Sequence, residues 1–236
     1  MVALKSLTFN SHGQANCSTF DTILLDSLKR DVKLTITEDA LPNLTAFKGN
    51  ARQLLDAIIF NTTSYEYEHR VDASSTFIAV PSYTRRLYVG EGCCKADIVQ
   101  TNLFSPCILL RFISIGNDSL QASPSLVLSS MTQLIRVVVG DRCFCPSSTV
   151  NGSFTVRDCP RLVSVTVGES SFTRVTALQL VRLDSFSSLD MGASSFQSCL
   201  TFTVTQCEIL SILLFPSQSL EKVMTVDIVG KQACLR

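Results

Sequence analysis

Between Phe154 and Gly192 the chain repeats itself. Leu162-x-x-Val165-x-Val167-Gly168-x-Ser170-x-Phe172 is followed 24 residues later by Phe186-x-x-Leu189-x-Met191-Gly192-x-Ser194-x-Phe196. Each unit is preceded by a short alternating run, Phe154-x-Val156 and Leu178-x-Leu180. The closing glycine recurs at Gly90, Gly116, Gly140, Gly168 and Gly192, with Pro216 in the same place, in steps of 26, 24, 28, 24 and 24. A period of that length is the mark of a solenoid. Apolar residues stand one position before these markers (Val89, Ile115, Val139, Val167, Met191, Phe215) and four after them (Cys94, Leu120, Phe144, Phe172, Phe196, Leu220). The alternation is that of half-buried strands. The fold class expected is a mostly β repeat solenoid, each unit carrying two short strands.

One such unit cannot fold alone. Its four or so core side chains contribute roughly 1.5–3 kcal/mol each when buried, against about 1–2 kcal/mol of backbone entropy for every residue ordered. Stacked neighbours must complete the core.

The frame L-x-x-L-x-L-x-x-N-x-L of leucine-rich repeats is matched in its apolar places by Leu110, Ile113, Ile115 and Leu120, then by Leu134, Val137, Val139 and Phe144. Leu162, Val165, Val167 and Phe172 match it again, as do Leu210, Leu213, Phe215 and Leu220. The chain resembles an irregular leucine-rich repeat protein. Cys159 to Phe172 is similar to the BspA-like type, whose units read Cys-x-x-Leu-x-x-Ile-x-Ile and end in Gly-x-x-(small)-Phe. The asparagine place departs from the family, being filled by Gly92, Asp118, Arg142, Ser170, Ser194 and Gln218, so no asparagine ladder is expected. The resemblance implies a binding module whose exposed strand face engages a protein or a glycan.

The match divides the chain into degenerate N-terminal repeats with insertions, 1–83, and a regular solenoid, 84–236. In the first part Leu4-x-x-Leu7-x-Phe9 and Leu41-x-x-Leu44-x-Ala46 fit the strand frame, so the period stretches and insertions are expected to loop out. Ser18 to Lys29 and Arg52 to Ile59 have helical spacing of apolar residues, which fits either short helices or irregular repeats with convex-side turns. At the other end Val226-x-Ile228 restarts a strand that no further frame follows. The last repeat is incomplete: either the array is a fragment of a longer one or its open end pairs with something, and the first is the expectation.

With 46% hydrophobic and 17% charged residues and no formal net charge, neither a disordered tail nor a basic nucleic-acid arm fits. No apolar run approaches the roughly 18 residues that span a bilayer. Localisation is left unknown: the N-terminus lacks the layout of a secretory signal, whereas sequons at Asn16, Asn43, Asn61, Asn117 and Asn151 point toward the secreted or cell-surface route.

Cys107, Met131, Cys159, Leu183 and Cys207 hold one place in successive units. Rungs two apart lie about 9–10 Å from each other, beyond the roughly 7 Å Cα limit of a disulfide, so these cysteines are expected to be free core thiols. Cys93-Cys94 and Cys143-x-Cys145 lack zinc-ligand spacing. His12 and His69 belong to no catalytic motif and read as surface residues, while Ser170 and Ser194 read as turn hydroxyls that bond backbone. No enzyme, metal or cofactor is expected.

Residues two and four before each glycine point away from the interior. The pairs are Arg86 and Tyr88, Phe112 and Ser114, Arg136 and Val138, Ser164 and Thr166, Ser188 and Asp190, and Ile212 and Leu214. The first three gather Arg86, Tyr88, Phe112 and Arg136, residue types enriched at interaction hot spots. These four are the candidate binding residues, for a protein partner before a glycan and with no nucleic acid. The alternative is a structural or surface-coat spacer, possibly glycosylated.

Overall fold

The computed structural model describes residues 68–72, 80, 84–96, 104, 107, 109–147, 151–214 and 216–229, together with the backbone of five strands in the first 67 residues. By contacts the chain divides into one unit of residues 1–67 with 81–83 and another of residues 68–80 with 84–236.

The first unit holds β1 (Ser6–Phe9), β2 (Thr22–Leu24), β3 (Lys33–Ile36), β4 (Ala46–Lys48) and β5 (Ile58–Phe60), arranged as parallel sheets β1-β3-β5 and β2-β4. Its period is not stretched. Thr22 pairs with Ala46 and Leu34 with Ile58, both a full 24 residues on, and β3 fills the interval that the sequence frame had left to an insertion. The two segments with helical spacing contain β2 and the first two residues of β5. Their β-branched and aromatic residues (Thr22 and Ile23; Ile58, Ile59 and Phe60) suit a pleated strand, and each pairs with one parallel neighbour, β4 and β3 respectively. Residues 18–21, 25–29 and 52–57 of those segments lie outside the described residues.

The second unit is a parallel β-solenoid. A seven-stranded sheet is ordered β16-β14-β12-β10-β8-β7-β6, from β6 (Glu68–Val71), β7 (Arg86–Val89), β8 (Phe112–Ile115), β10 (Arg136–Val139), β12 (Ser164–Val167), β14 (Ser188–Met191) and β16 (Ile212–Leu214). A five-stranded sheet is ordered β17-β15-β13-β11-β9, from β9 (Leu126–Ser129), β11 (Gly152–Arg157), β13 (Val175–Val181), β15 (Thr201–Thr205) and β17 (Thr225–Val229). From β8 onward the chain alternates between the sheets, so each coil lays one strand on each, in register with the coil before. Parallel strands need a crossover, and here the rest of the coil supplies it. No described residue is helical.

The core lies between the sheets. Leu87, Ile113, Val137, Val165, Leu189 and Leu213 form one buried row, and Leu126, Phe154, Leu178 and Phe202 form a row on the facing sheet. Phe144, Phe172 and Phe196 stack in a single interior column, with centroids 4.6 and 5.1 Å apart and planes within 10°. Phe154 meets Phe172 and Phe196 edge-on at 5.0 and 5.6 Å. Cys107, Met131, Cys159, Leu183 and Cys207 are all buried in the core.

The corners explain the rest of the repeat. Gly92, Asp118, Arg142, Ser170, Ser194 and Gln218, the places where the leucine-rich frame has asparagine, all have φ between 53° and 65°. That left-handed conformation turns each backbone N–H toward the next coil: Asp118 donates to the Asp141 carbonyl and Arg142 to that of Glu169, both at 2.8 Å. Two residues on, Cys94, Leu120, Phe144, Phe172, Phe196 and Leu220 are left-handed too. Ser130, Asp158, Arg182 and Gln206 repeat the device at the corner following the five-stranded sheet. Such a backbone costs on the order of 1–3 kcal/mol per non-glycine residue. The cross-coil hydrogen bonds and, for the phenylalanines, burial and ring stacking offset it.

The closing glycines are needed because the coils touch there. A Cβ on Gly168 would lie 2.5 Å from the Gly140 carbonyl carbon, and one on Gly192 would lie 2.4 Å from the Glu169 backbone nitrogen. Three residues after them come Cys93, Ser119, Cys143, Ser171, Ser195 and Ser219. Ser171 Oγ donates to the Gly140 carbonyl at 2.8 Å and accepts the Cys143 N–H at 2.9 Å. Cys143 Sγ donates to the Gly116 carbonyl at 3.2 Å, so the thiol stands in for the hydroxyl. At this corner the serines that bond backbone are Ser119, Ser171, Ser195 and Ser219, so that Ser171 and Ser195 do so in place of the expected Ser170 and Ser194. Ser194 instead donates from its hydroxyl to Gln218 Oε1 at 2.9 Å.

Candidate functional site

Strand alternation turns Leu87 and Val89, Ile113 and Ile115, and Val137 and Val139 inward, which leaves the intervening side chains on the outer face of the seven-stranded sheet. The parallel register then fixes who stands beside whom. Arg86 is opposite Phe112, and Phe112 opposite Arg136, in three consecutive strands. Tyr88 lies in the second outer row, beside Ser114. The structure therefore brings all four predicted residues onto one face, with Arg136 exposed and the other three half-buried.

Two further residues join them. In β6, Arg70 pairs with Tyr88 and Glu68 with Arg86 in register. The Arg70 guanidinium sits over the Tyr88 ring, 4.8 Å from its centroid, and makes an ion pair with Glu68. Arg86 lies over the Phe112 ring in the same way, at 4.7 Å. A guanidinium stacked on a ring loses little entropy when it bonds an anion, because its planar fork is already oriented. The sequence frame had stopped at Arg86, since β6 precedes β7 by less than one repeat and shows no closing glycine.

Beyond β10 the face changes character. Ser164 and Thr166 continue the two rows on β12, and Ser188 and Asp190 continue them on β14. His69 does not join the outer face: it is opposite Leu87 in the inner row and is partly covered, and burial lowers its pKa. His12 lies outside the described residues.

At the corner following the five-stranded sheet runs a groove of about 560 Å³, lined among others by Asp158, Arg182, Asp184 and Glu208. The Arg182 fork closes on Asp158, Nε to Oδ1 at 2.5 Å and Nη2 to Oδ2 at 2.8 Å, and that hydrogen bonding holds the carboxyl below its usual range. An equivalent fork joins Arg142 to Asp118 at the opposite corner, with both bonds at 2.7 Å. These pairs tie one coil to the next. The groove lining contains neither histidine nor cysteine.

None of the eight described cysteines is in a disulfide. Desolvation pushes Cys107 up to about 12, and Cys143, Cys159 and Cys199 up to about 11. Thiols held protonated in this way are poor nucleophiles and poor metal ligands. Among the described residues no three His, Cys, Asp or Glu side chains gather as a metal set, and no helix is long and apolar enough to cross a membrane.

Comparison of the chain with family models, with curated proteins and with solved structures finds no match.

Proposed function

We propose that the chain is a non-catalytic scaffold that engages a protein partner through the outer face of its seven-stranded sheet. Arg86, Tyr88, Phe112 and Arg136 are the contact residues. One observation carries this reading: three consecutive strands place Arg86, Phe112 and Arg136 side by side on a solvent-facing surface. No core requirement accounts for large aromatic and guanidinium groups there, when the same rows make do with serine and threonine on β12. We further propose kinship with irregular leucine-rich repeat proteins of the BspA-like type. Support comes from the apolar places of that frame, Leu110, Ile113 and Ile115 and their equivalents at Leu134, Val137 and Val139, which are the buried ones.

The test is a four-alanine variant at Arg86, Tyr88, Phe112 and Arg136. Partner affinity is expected to fall about tenfold or more while the melting temperature stays with the parent. Unchanged affinity removes this face.

The spacer reading keeps one specific observation. Asn151, in the sequon Asn151-Gly152-Ser153, is exposed at the entry to β11. The side chain of Asn117, by contrast, is engaged between coils, its Oδ1 accepting the Asp141 N–H at 2.8 Å. A glycan found by mass at Asn151 in the native source would favour a glycosylated spacer.

A further inference from the structure

We propose that β6 is a proton-sensitive strand: at neutral pH it covers the edge of β7, and protonation of His69 releases it and uncovers Tyr88. The release belongs to the fold and can be observed with no partner present.

Placement carries it first. β6 is the last strand in the order of the seven-stranded sheet, and among the described residues β7 is its one strand neighbour. His69 is opposite Leu87, and Val71 opposite Val89, in the inner rows. The first of those rows continues through Ile113, Val137 and Val165 to Leu189 and Leu213. His69 is therefore the one ionisable side chain in a line of aliphatics. Of the two inward residues of β6 only Val71 is buried, while His69 is partly covered. Outside the ladder the strand is tied by the Gly90 N–H, which donates to the Val71 carbonyl at 2.8 Å, and by the Arg70 guanidinium over Tyr88. A strand with one buried aliphatic anchor opens locally at less cost than those further along the stack.

Charge supplies the trigger. A protonated His69 would meet Leu87 rather than a carboxylate. The charged and titratable groups of the two strands, Glu68, Arg70, Arg86 and Tyr88, stand in the outer rows on the other side of the sheet, and Asp72 and Arg85 flank the strand ends. Burial holds the imidazole below its ordinary value of 6.5. The released strand thus takes up the proton more readily than the docked one, so docking is fully supported above pH 6.5 and loses that support as pH falls through the lowered range. Once β6 leaves, Tyr88 loses its guanidinium cover and β7 has a free edge. The face proposed above to bind a partner is then a different surface in acid.

Amide hydrogen exchange of the whole chain, read by peptide mass at about pH 7.5 and about pH 5.5 and corrected for the intrinsic rate, tests this. Imidazoles are the side chains that ordinarily change charge in that interval, and the chain has two, His12 and His69. Protection of Glu68–Val71 is expected to fall severalfold at the lower pH while that of Ser164–Val167 holds. His69→Leu should abolish the fall, and His12→Gln should keep it. Protection of β6 that is flat with pH, a fall that survives His69→Leu, or an equal fall in Ser164–Val167 would overturn the proposal. Should His69→Leu fail to fold, a proton NMR titration of the parent decides: a His69 imidazole that titrates at or above the ordinary value would overturn it, and one that titrates below it, in step with the loss of β6 protection, would support it.

Discussion

The two faces of the seven-stranded sheet differ in one respect. Inward, from β7 to β16 each strand repeats the same chemistry: Leu87, Ile113, Val137, Val165, Leu189 and Leu213 are all aliphatic. Outward, the residues in register change from Arg86, Phe112 and Arg136 to Ser164 and Ser188. Stacking accounts for the sameness, because each interior side chain must fit against its copy in the neighbouring coils at close-packed density. Nothing in the stacking dictates the outer sequence. Variation along a row is therefore the place to look for function, and sameness the place to look for stability.

Interior substitutions should break that division most strongly. Phe172 is fully buried with a stacked ring on either side and Phe154 edge-on, so Phe172→Ala is expected to cost about 3–5 kcal/mol in denaturant unfolding. A variant that unfolds with the parent would mean that the column does not hold the coils together. Gly192→Ala is expected to cost less, about 1–3 kcal/mol, as the added methyl forces the coils apart against backbone atoms rather than a movable side chain.

A finer comparison lies within the corner ladder, where the place is filled by either serine or cysteine. Ser171→Ala strands a buried Cys143 N–H and the Gly140 carbonyl, and should lose about 1–3 kcal/mol. Ser171→Cys keeps a donor in the place that Cys143 fills one coil away. It should recover most of that loss. Equal destabilisation by the two would show that the hydroxyl is specifically required.

Much of this fold was legible because stacking writes the same residue type at a fixed interval. The closing glycines, the phenylalanine column and the inner rows could all be placed from that interval. The left-handed corners could not, since Asp118, Arg142, Ser170 and Gln218 share no side-chain chemistry. What they share is the direction of a backbone N–H. The first third was misframed for a related reason: Ile58-Ile59-Phe60 and Lys33-Leu34-Thr35-Ile36 are short runs without a glycine to mark phase, and a short apolar run fits a helix or a strand equally well. In the candidate site, alternation alone put Arg86, Tyr88, Phe112 and Arg136 on one face. Arg70 and Glu68 escaped because the step from β6 to β7 falls short of the period.

The most direct test of stacked coils with free thiols in the interior is cysteine labelling read by peptide mass, folded and unfolded, without reductant. Cys107, Cys143 and Cys159 are buried, and desolvation raises their pKa to about 12, 11 and 11. All three should resist an alkylating reagent in the folded protein and react fully once denatured. A Cys107–Cys159 disulfide, or rapid labelling of these thiols in the native state, would contradict the coil register on which every assignment of an inner or outer face depends.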